Sequence, residues 1–459
     1  MKIKKYYLIL LGPVASLGFY FLLKLVGLDN NPSIAAGITL LTVIWWVTEA
    51  IPIPATSLVP FALFPTFGIL DFKIVASSLG SHVILLLMGA FMLSKALEKS
   101  GAHQRLAIGL LHLVGVSSGK RLVFGFMIAA AFLSMWISNT ATTLIMLPMA
   151  LAIIDRVNNH RLTVSLILGI AYAANIGGLG TIIGTPPNVI FAAIYEEQTG
   201  KEFGFLAWMK IGVPIVLLVL PVMALWLTRG VKLQQPIKLP ELGGWRVEEK
   251  RALIIFGLTA LAWMTRAEPF GGWSGLLPVN LIGDSTIALA AVIIMFIMPN
   301  GKGGNLLDWK TAKTIPWDML LLFSGGIAIA KGFNASGLSD LLGIWLGNLT
   351  HLPVILMILS ITLMVTFLTE ITSNTATATL LMPILAVAAV SSGYDPVVFM
   401  LPAAMAASCA FSLPVATPPN AIVYGSGKIK LRDMVINGAI MSVFVSGIIG
   451  AVTYFLLVY

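Results

Sequence analysis

ISNTATTLIMLP (residues 137–148) sits inside a long apolar stretch, yet it begins with three small polar residues, Ser138, Asn139 and Thr140. TSNTATATLLMP (372–383) repeats the pattern 235 residues later, with Ser373, Asn374 and Thr375. The setting makes this unusual. Of 459 residues, 58% are apolar and 10% are charged, and the mean hydropathy is +0.96. So few charges cannot cover the surface of a soluble protein of this length, so the chain reads as a polytopic membrane protein. Its apolar runs are continuous rather than alternating, which points to spanning helices and excludes a closed barrel.

Spans are expected at 6–26, 33–50, 54–70, 82–98, 163–194, 207–228, 251–266, 285–299, 318–333, 397–425 and 433–457, with 163–194 and 397–425 broken. That is about 11 transmembrane helices in an all-α chain. Nothing like a small-residue cleavage site follows the first span, which reads as a retained helix rather than a signal peptide. The net charge of +9 follows from the positive-inside rule. With a cytoplasmic N-terminus and an outer C-terminus, the basic loops around Lys120, Arg156, Arg229–Arg251, Lys302–Lys313 and Lys428–Arg432 all fall on the cytoplasmic side. This works only if 123–156 and 353–392 each enter and leave on one face. The segment YEEQTGKEF (195–203) then lies outside. The single cysteine, Cys409, excludes an intrachain disulfide and reads as a small buried hydrophobe.

The duplication extends further. GAFMLSKALEKSG (89–101) matches GGIAIAKGFNASG (325–337), with Lys95 opposite Lys331 at a spacing of 236, and TPPN recurs at 185–188 and 417–420. Landmarks in one order with nearly constant offset define an internal repeat. The first repeat (33–228) follows an extra N-terminal helix (1–32), a cytoplasmic linker covers 229–250, and the second repeat is 251–459. The first repeat begins from outside and the second from inside, so the halves are inverted. Inverted repeats with interrupted helices are the pattern of secondary transporters, with the binding site near the midplane. AHQRLAIGLLHLVG (102–115) and LSDLLGIWLGNLT (338–350) are amphipathic and too short to cross; they read as interfacial helices or as helix ends trailing into loops.

The polar centres divide 123–156 and 353–392 into halves of about 15 residues, roughly 22 Å of helix and too short for a span. Each pair of halves is a re-entrant hairpin, the first entering from inside and the second from outside. Ser, Asn and Thr are favoured N-caps, so each tip starts a helix in mid-membrane with its positive dipole end exposed. GLGTIIGTPPNVIF (178–191) and FSLPVATPPNAIV (411–423) break the other two helices. Thr185 and Thr417 are N-cap candidates, and Pro186 and Pro418 suit the first helical position. Four helix starts can then converge, suiting an anion, while freed carbonyls suit a cation. A single such motif could equally be a kinked ordinary helix; two inverted pairs argue for the site. Ser134 and Thr369 lie four residues before Ser138 and Ser373, one turn below each tip, where they could offer oxygen to a small hard cation. No Arg or Lys lies within either tip, and a buried dianion is costly without a counter-charge.

Glu370, with Met135 at its repeat counterpart, reads as a buried, hydrogen-bonded structural carboxylate in preference to a proton relay. Lys95 and Lys331 read as snorkelling or capping residues, and His82 and His103 as solvated.

In SNT plus TPP in both halves, and in WVTEAIPIPATSL (46–58), the sequence resembles the divalent anion–sodium symporter (DASS) family, bacterial carriers of di- and tricarboxylates such as succinate, malate, fumarate and citrate, over essentially the whole chain. The resemblance implies a homodimer in which a transport domain moves as an elevator against a scaffold, with Na+ as coupling ion and no other cofactor. It implies one sodium site from Ser134, Ser138, Asn139 and the Gly184 carbonyl, and another from Thr369, Thr372, Asn374 and the Ala416 carbonyl. Substrate carboxylates would meet Ser138, Asn139, Thr140, Ser373, Asn374 and Thr375, with Thr185, Pro186, Thr417 and Pro418 lining the site. Because the family also contains sodium-independent dicarboxylate exchangers, exchange is the alternative to symport, and an anion channel a more distant one. An enzyme is not expected. The YD and GD dipeptides at 393–396 and 281–284 lack the spacing and order of an aspartyl protease, and there is no GxSG or HExxH sequence.

Overall fold

The computed structural model describes residues 2–115, 117–155, 157, 159–231, 243–268, 271–277, 281–347 and 352–458. The linker stretch 232–242 and residues 348–351 therefore lie outside the described residues. What is described is helical, with one isolated bridge between Pro299 and Asn305. Among the described residues eight stretches are long and apolar enough to cross a membrane, as expected of a multi-pass membrane protein.

The helices fall into two groups, each packed mainly among its own members. One contains Lys2–Leu25, Asn30–Thr48, His82–Ser100, Val247–Met264, Asp284–Ile297 and Trp317–Ser336. His82–Ser100 crosses Asp284–Ile297 closely at Gly89, where an added methyl would sit 2.7 Å from the Ala288 Cβ. The expected single span at 54–70 is instead cut into Ile53–Thr56 and Val59–Thr66, followed by Phe72–Leu79. Pro52, Pro54, Pro60 and Pro65 explain the cuts, since each removes a backbone donor.

The second group is built from two hairpins, two broken helices and two long helices. Gly119–Ser134 turns back into Asn139–Ile154, and Val354–Leu368 turns back into Asn374–Ser391. His160–Gly177 gives way to a short tight turn at Gly178–Gly180 before Pro186–Thr199 begins. Val397–Ala407 likewise stops ten residues before Pro418–Gly425. The two halves interlock, because Pro186–Thr199 packs on the second helix of the other hairpin, Asn374–Ser391, and Pro418–Gly425 packs on Asn139–Ile154.

Each break is held by contacts from elsewhere in the fold. Asn188 Nδ2 donates to the Gly178 and Thr181 carbonyls, both at 2.8 Å. Asn420 does the same for Ala410 and Leu413, at 3.1 and 3.0 Å. A long helix seals each break from behind: Gly212 of Phe205–Leu227 lies against Leu179, and Gly438 of Leu431–Leu457 lies against Phe411 and Ser412, so closely that a Cβ would collide with backbone atoms. The freed N–H groups of the second break go to Glu370. Its Oε1 accepts from Phe411 and Ser412 at 2.8 and 2.9 Å, and its Oε2 from Ser412 and Leu413 at 3.0 and 3.1 Å. Glu370 is thus a buried structural carboxylate. In the first half the tip–break tie is made by the Thr181 hydroxyl donating to the Met135 carbonyl.

One face of the molecule is laced by the basic loops. Lys99 bonds Asp308 at 2.5 Å, Arg105 and Arg246 both pair with Glu249, and Lys302 pairs with Glu248 at 2.7 Å. The Lys99 ammonium holds the Asp308 carboxyl down to about 2. On the other face Glu196 and Glu197, which continue the helix Pro186–Thr199 rather than forming a loop, meet His82 at 2.9 Å and Lys331 at 3.9 Å. His103 is buried, not solvated, with its Nδ1 at 3.0 Å from the Leu97 carbonyl.

Two outcomes follow from the sealed breaks. Gly212→Ala and Gly438→Ala should each cost about 2 kcal/mol or more, because the added methyl meets backbone that cannot turn aside. The check is the melting temperature of the detergent-purified protein by tryptophan fluorescence, and unchanged melting in both would mean the crossings relax freely. Glu370→Ala strands three buried N–H groups and should cost about 3 kcal/mol or more, with Glu370→Gln intermediate because one acceptor oxygen remains. An alanine variant melting with the wild type would remove Glu370 from this role.

Candidate functional site

The two hairpin tips are near copies at atomic level. Ser138 caps Asn139–Ile154 by accepting from the Ala141 N–H at 3.2 Å, and Ser134 Oγ donates to Asn139 Oδ1 at 2.5 Å. In the second tip Thr369 Oγ1 donates to Asn374 Oδ1, also at 2.5 Å. Ser373 stands at the N-cap of Asn374–Ser391 without a side-chain cap bond. The local reason is shared: a hydroxyl residue at the end of one half-helix lies five residues before the asparagine that opens the next. Two oxygens meet there with no basic side chain between them.

The TPPN segments supply the other two helix starts. Pro186 and Pro418 occupy the first helical position, where their missing N–H removes nothing. Thr417 caps its helix by accepting from the Asn420 N–H at 3.3 Å, whereas Thr185 turns its hydroxyl to Ser408 at 3.2 Å. The matching bond across the halves joins Asn175 Nδ2 to Thr417 Oγ1 at 3.2 Å, and Asn139 Nδ2 reaches Asn175 Oδ1 at 3.4 Å. Asn175 thereby links the first tip to the second TPPN segment. The sequence offered a weak signal for it: a buried amide in the otherwise apolar AYAANIG, ten residues before Thr185.

These elements enclose one cavity of about 500 Å³, lined by Ser138, Asn139, Thr140, Gly184, Thr185 and Pro186 from the first half and Ser373, Asn374, Thr375, Ala416, Thr417 and Pro418 from the second. The volume falls in the range of small-ligand sites, roughly 300–1,000 Å³. Ser134, Thr369 and Thr372 lie behind the wall. The first two touch the lining through Asn139 and Asn374, while the Thr372 hydroxyl is spent on the Leu368 carbonyl and Thr377 Oγ1, leaving its carbonyl for any ligand. Beside Asn139 lies a small cradle: a methyl on Gly178 would stand 3.0 Å from Asn139 Oδ1 and 3.1 Å from the Gly184 carbonyl oxygen. Ala410 stands at the equivalent position of the second half, so the two cradles are not identical.

The cavity has members outside the tips as well. Leu87, Phe91, Ser94, Lys95 and Glu98 line it from the helix His82–Ser100, and Thr314, Pro316 and Met319 from the start of the helix Trp317–Ser336. The 87, 91, 94, 98 spacing is one helical face and was available in the sequence, where an apolar helix ending in lysines gave no reason to look for it.

With this geometry described, the chain can be placed among known proteins. The citrate transporter (CitMHS) family matches residues 43–401. The chain is 40% identical over 474 residues to the sodium-dependent dicarboxylate transporter SdcS of Staphylococcus saprophyticus, covering 98% of this chain and 90% of that one. It is 41% identical over 446 residues to SdcS of Staphylococcus aureus strain MRSA252, covering 92% and 85%. In fold it is similar to the Alcanivorax borkumensis YdaH transporter, with a TM-score of 0.58 at 15% identity over 84% of this chain and 88% of that one. A match of this extent to a family and to near full-length relatives settles the assignment: the chain belongs to the citrate transporter family, among the relatives of the sodium-dependent dicarboxylate transporters.

Proposed function

We propose that this protein is a sodium-coupled symporter of di- and tricarboxylates such as succinate, malate and fumarate. The observation that carries the reading is the convergence of four helix N-termini, two hairpin tips and two TPPN starts, on one cavity. Positive dipole ends and uncommitted hydroxyl and amide donors suit a carboxylate at each end of the substrate. Its Staphylococcus relatives are sodium-dependent dicarboxylate transporters, which supports both the substrate class and the coupling ion.

In this reading Ser138, Asn139 and Thr140 hold one carboxylate and Ser373, Asn374 and Thr375 the other, with Thr185, Pro186, Thr417 and Pro418 shaping the walls. One sodium ion binds Ser134, Ser138, Asn139 and the Gly184 carbonyl; another binds Thr369, Thr372, Asn374 and the Ala416 carbonyl. Two cations bound behind the tips offset the cost of taking a dianion out of water, which is the physical basis of coupling. The hairpin and broken-helix group is the moving part and the other group the scaffold. The working form is a homodimer with a cytoplasmic N-terminus and an outer C-terminus, and the helices number about 11 with two re-entrant hairpins.

The test is labelled succinate uptake into proteoliposomes with empty lumens, comparing an inward sodium gradient with potassium. Accumulation above equilibrium only with sodium is the expected result. Uptake that ignores sodium and requires dicarboxylate in the lumen would instead make the protein an exchanger. Asn139→Ala and Asn374→Ala should each abolish uptake while the protein elutes and melts as the wild type does; near-normal uptake in both would overturn the site. Gly178→Ala tests the first cation site separately. The methyl fills the cradle between Asn139 Oδ1 and the Gly184 oxygen, so half-saturating sodium should rise about tenfold or more, equivalent to at least about 1.4 kcal/mol. The maximal rate should survive at high sodium. An unaltered sodium dependence would move the ion elsewhere.

A further inference from the structure

The cavity that holds the two tips continues to a pair of opposite charges. Among the described residues lining it, Lys95 is the one basic side chain and Glu98 the one acidic side chain. Lys95 Nζ lies 2.7 Å from Glu98 Oε2, and both side chains are partly exposed, at 30% and 23%. They sit on the helix His82–Ser100, in the group of helices that does not contain the tips. Their end of that helix is tied by Lys99 to Asp308, so the cavity runs from the tips toward the face that carries the basic loops. On the opposite face the repeat counterpart Lys331 is engaged with Ser77 Oγ at 2.8 Å and Glu197 at 3.9 Å, and does not line the cavity.

We infer that Lys95 and Glu98 form an exchangeable ion pair at the inner mouth of the transport cavity: Lys95 trades its Glu98 partner for a carboxylate of the dianion entering or leaving on the cytoplasmic side. The inference rests on the cavity taking a dicarboxylate, as proposed above. The tips contain no basic side chain, so a divalent anion leaving them with its sodium ions crosses a vestibule in which one ammonium group is available. That ammonium is already half neutralised by Glu98. This keeps the station weak, which a release path requires, because a lone lysine would trap the dianion. A partly exposed pair exchanges partners at little cost. Because Lys95 belongs to the static group, it meets the substrate only while the tips are on its side. Its effect is therefore confined to one face of the membrane.

The experiment uses the full-length protein in membrane vesicles of both orientations, measuring the succinate concentration that half-saturates counterflow at saturating sodium. In inside-out vesicles, Lys95→Gln should raise that concentration about fivefold and Glu98→Gln should lower it severalfold, while Lys95→Arg stays near wild type. Right-side-out vesicles should show no change for any of them. The opposite signs matter, since a pair that merely braced the helix would give losses of the same sign from either side. Equal effects on both faces, same-sign effects, or no effect of either glutamine variant would overturn the inference. Failure of the wild type to take up succinate with sodium would instead overturn the substrate reading, so the two are distinguishable.

Discussion

A helix interrupted in the middle of a membrane leaves N–H and C=O groups that cannot turn to water, and each must find a partner inside the protein. Among the described residues four helix breaks raise this demand, two at the hairpin tips and two before the TPPN helices, and much of the fold is arranged around satisfying them. Asn188 and Asn420, the last residues of the TPPN segments, reach back to two carbonyls each. Glycines on two long helices, Gly212 and Gly438, let backbone close over the breaks. The cavity is what remains when these obligations are met: four helix starts line it, and the carbonyls of Gly178, Thr181, Ala410 and Leu413 are engaged behind them.

The two halves meet the same obligation with different chemistry. Thr181 in the first break can tie itself to the Met135 carbonyl, while its counterpart Leu413 has no hydroxyl. The second half compensates with Glu370, placed where the first has Met135, whose two oxygens take the N–H groups of residues 411–413. A carboxylate accepting several backbone donors is the stronger clamp. The asymmetry extends to the cradle beside each tip, open at Gly178 and narrowed by a methyl at Ala410. The halves thus differ both behind the tips, Met135 and Gly178 against Glu370 and Ala410, and in the lining, Gly184 against Ala416.

Interlocking gives the site its unity. Each TPPN helix packs against the hairpin of the other half, and the hydrogen bonds Asn175–Thr417 and Thr185–Ser408 cross between halves. The lining of the cavity at each tip is therefore held in place by residues of both halves. The other group of helices touches this assembly less extensively than its own members touch one another.

Much of the site was written in local pattern. Apolar runs, their breaks, the SNT and TPPN capping residues and their near-constant offsets are all short-range features, so composition and spacing were enough to expect a polytopic helical protein with two polar tips and a shared cavity. The Pro-rich stretch 51–66 misled because its apolar content reads as a span while its prolines cut it into short helices. His103 misled because amphipathic spacing says which face is apolar but not what covers the other. What only the tertiary structure decided are the pairings between residues far apart in the chain: Glu370 with the 411–413 backbone, Asn175 with Thr417, Gly212 and Gly438 against the breaks, and the Lys95–Glu98 pair on the cavity wall. The reason is physical. Helix starts and spans are set by contacts within a few residues, whereas the partner of a freed backbone group is whichever side chain the packing of whole helices brings to it.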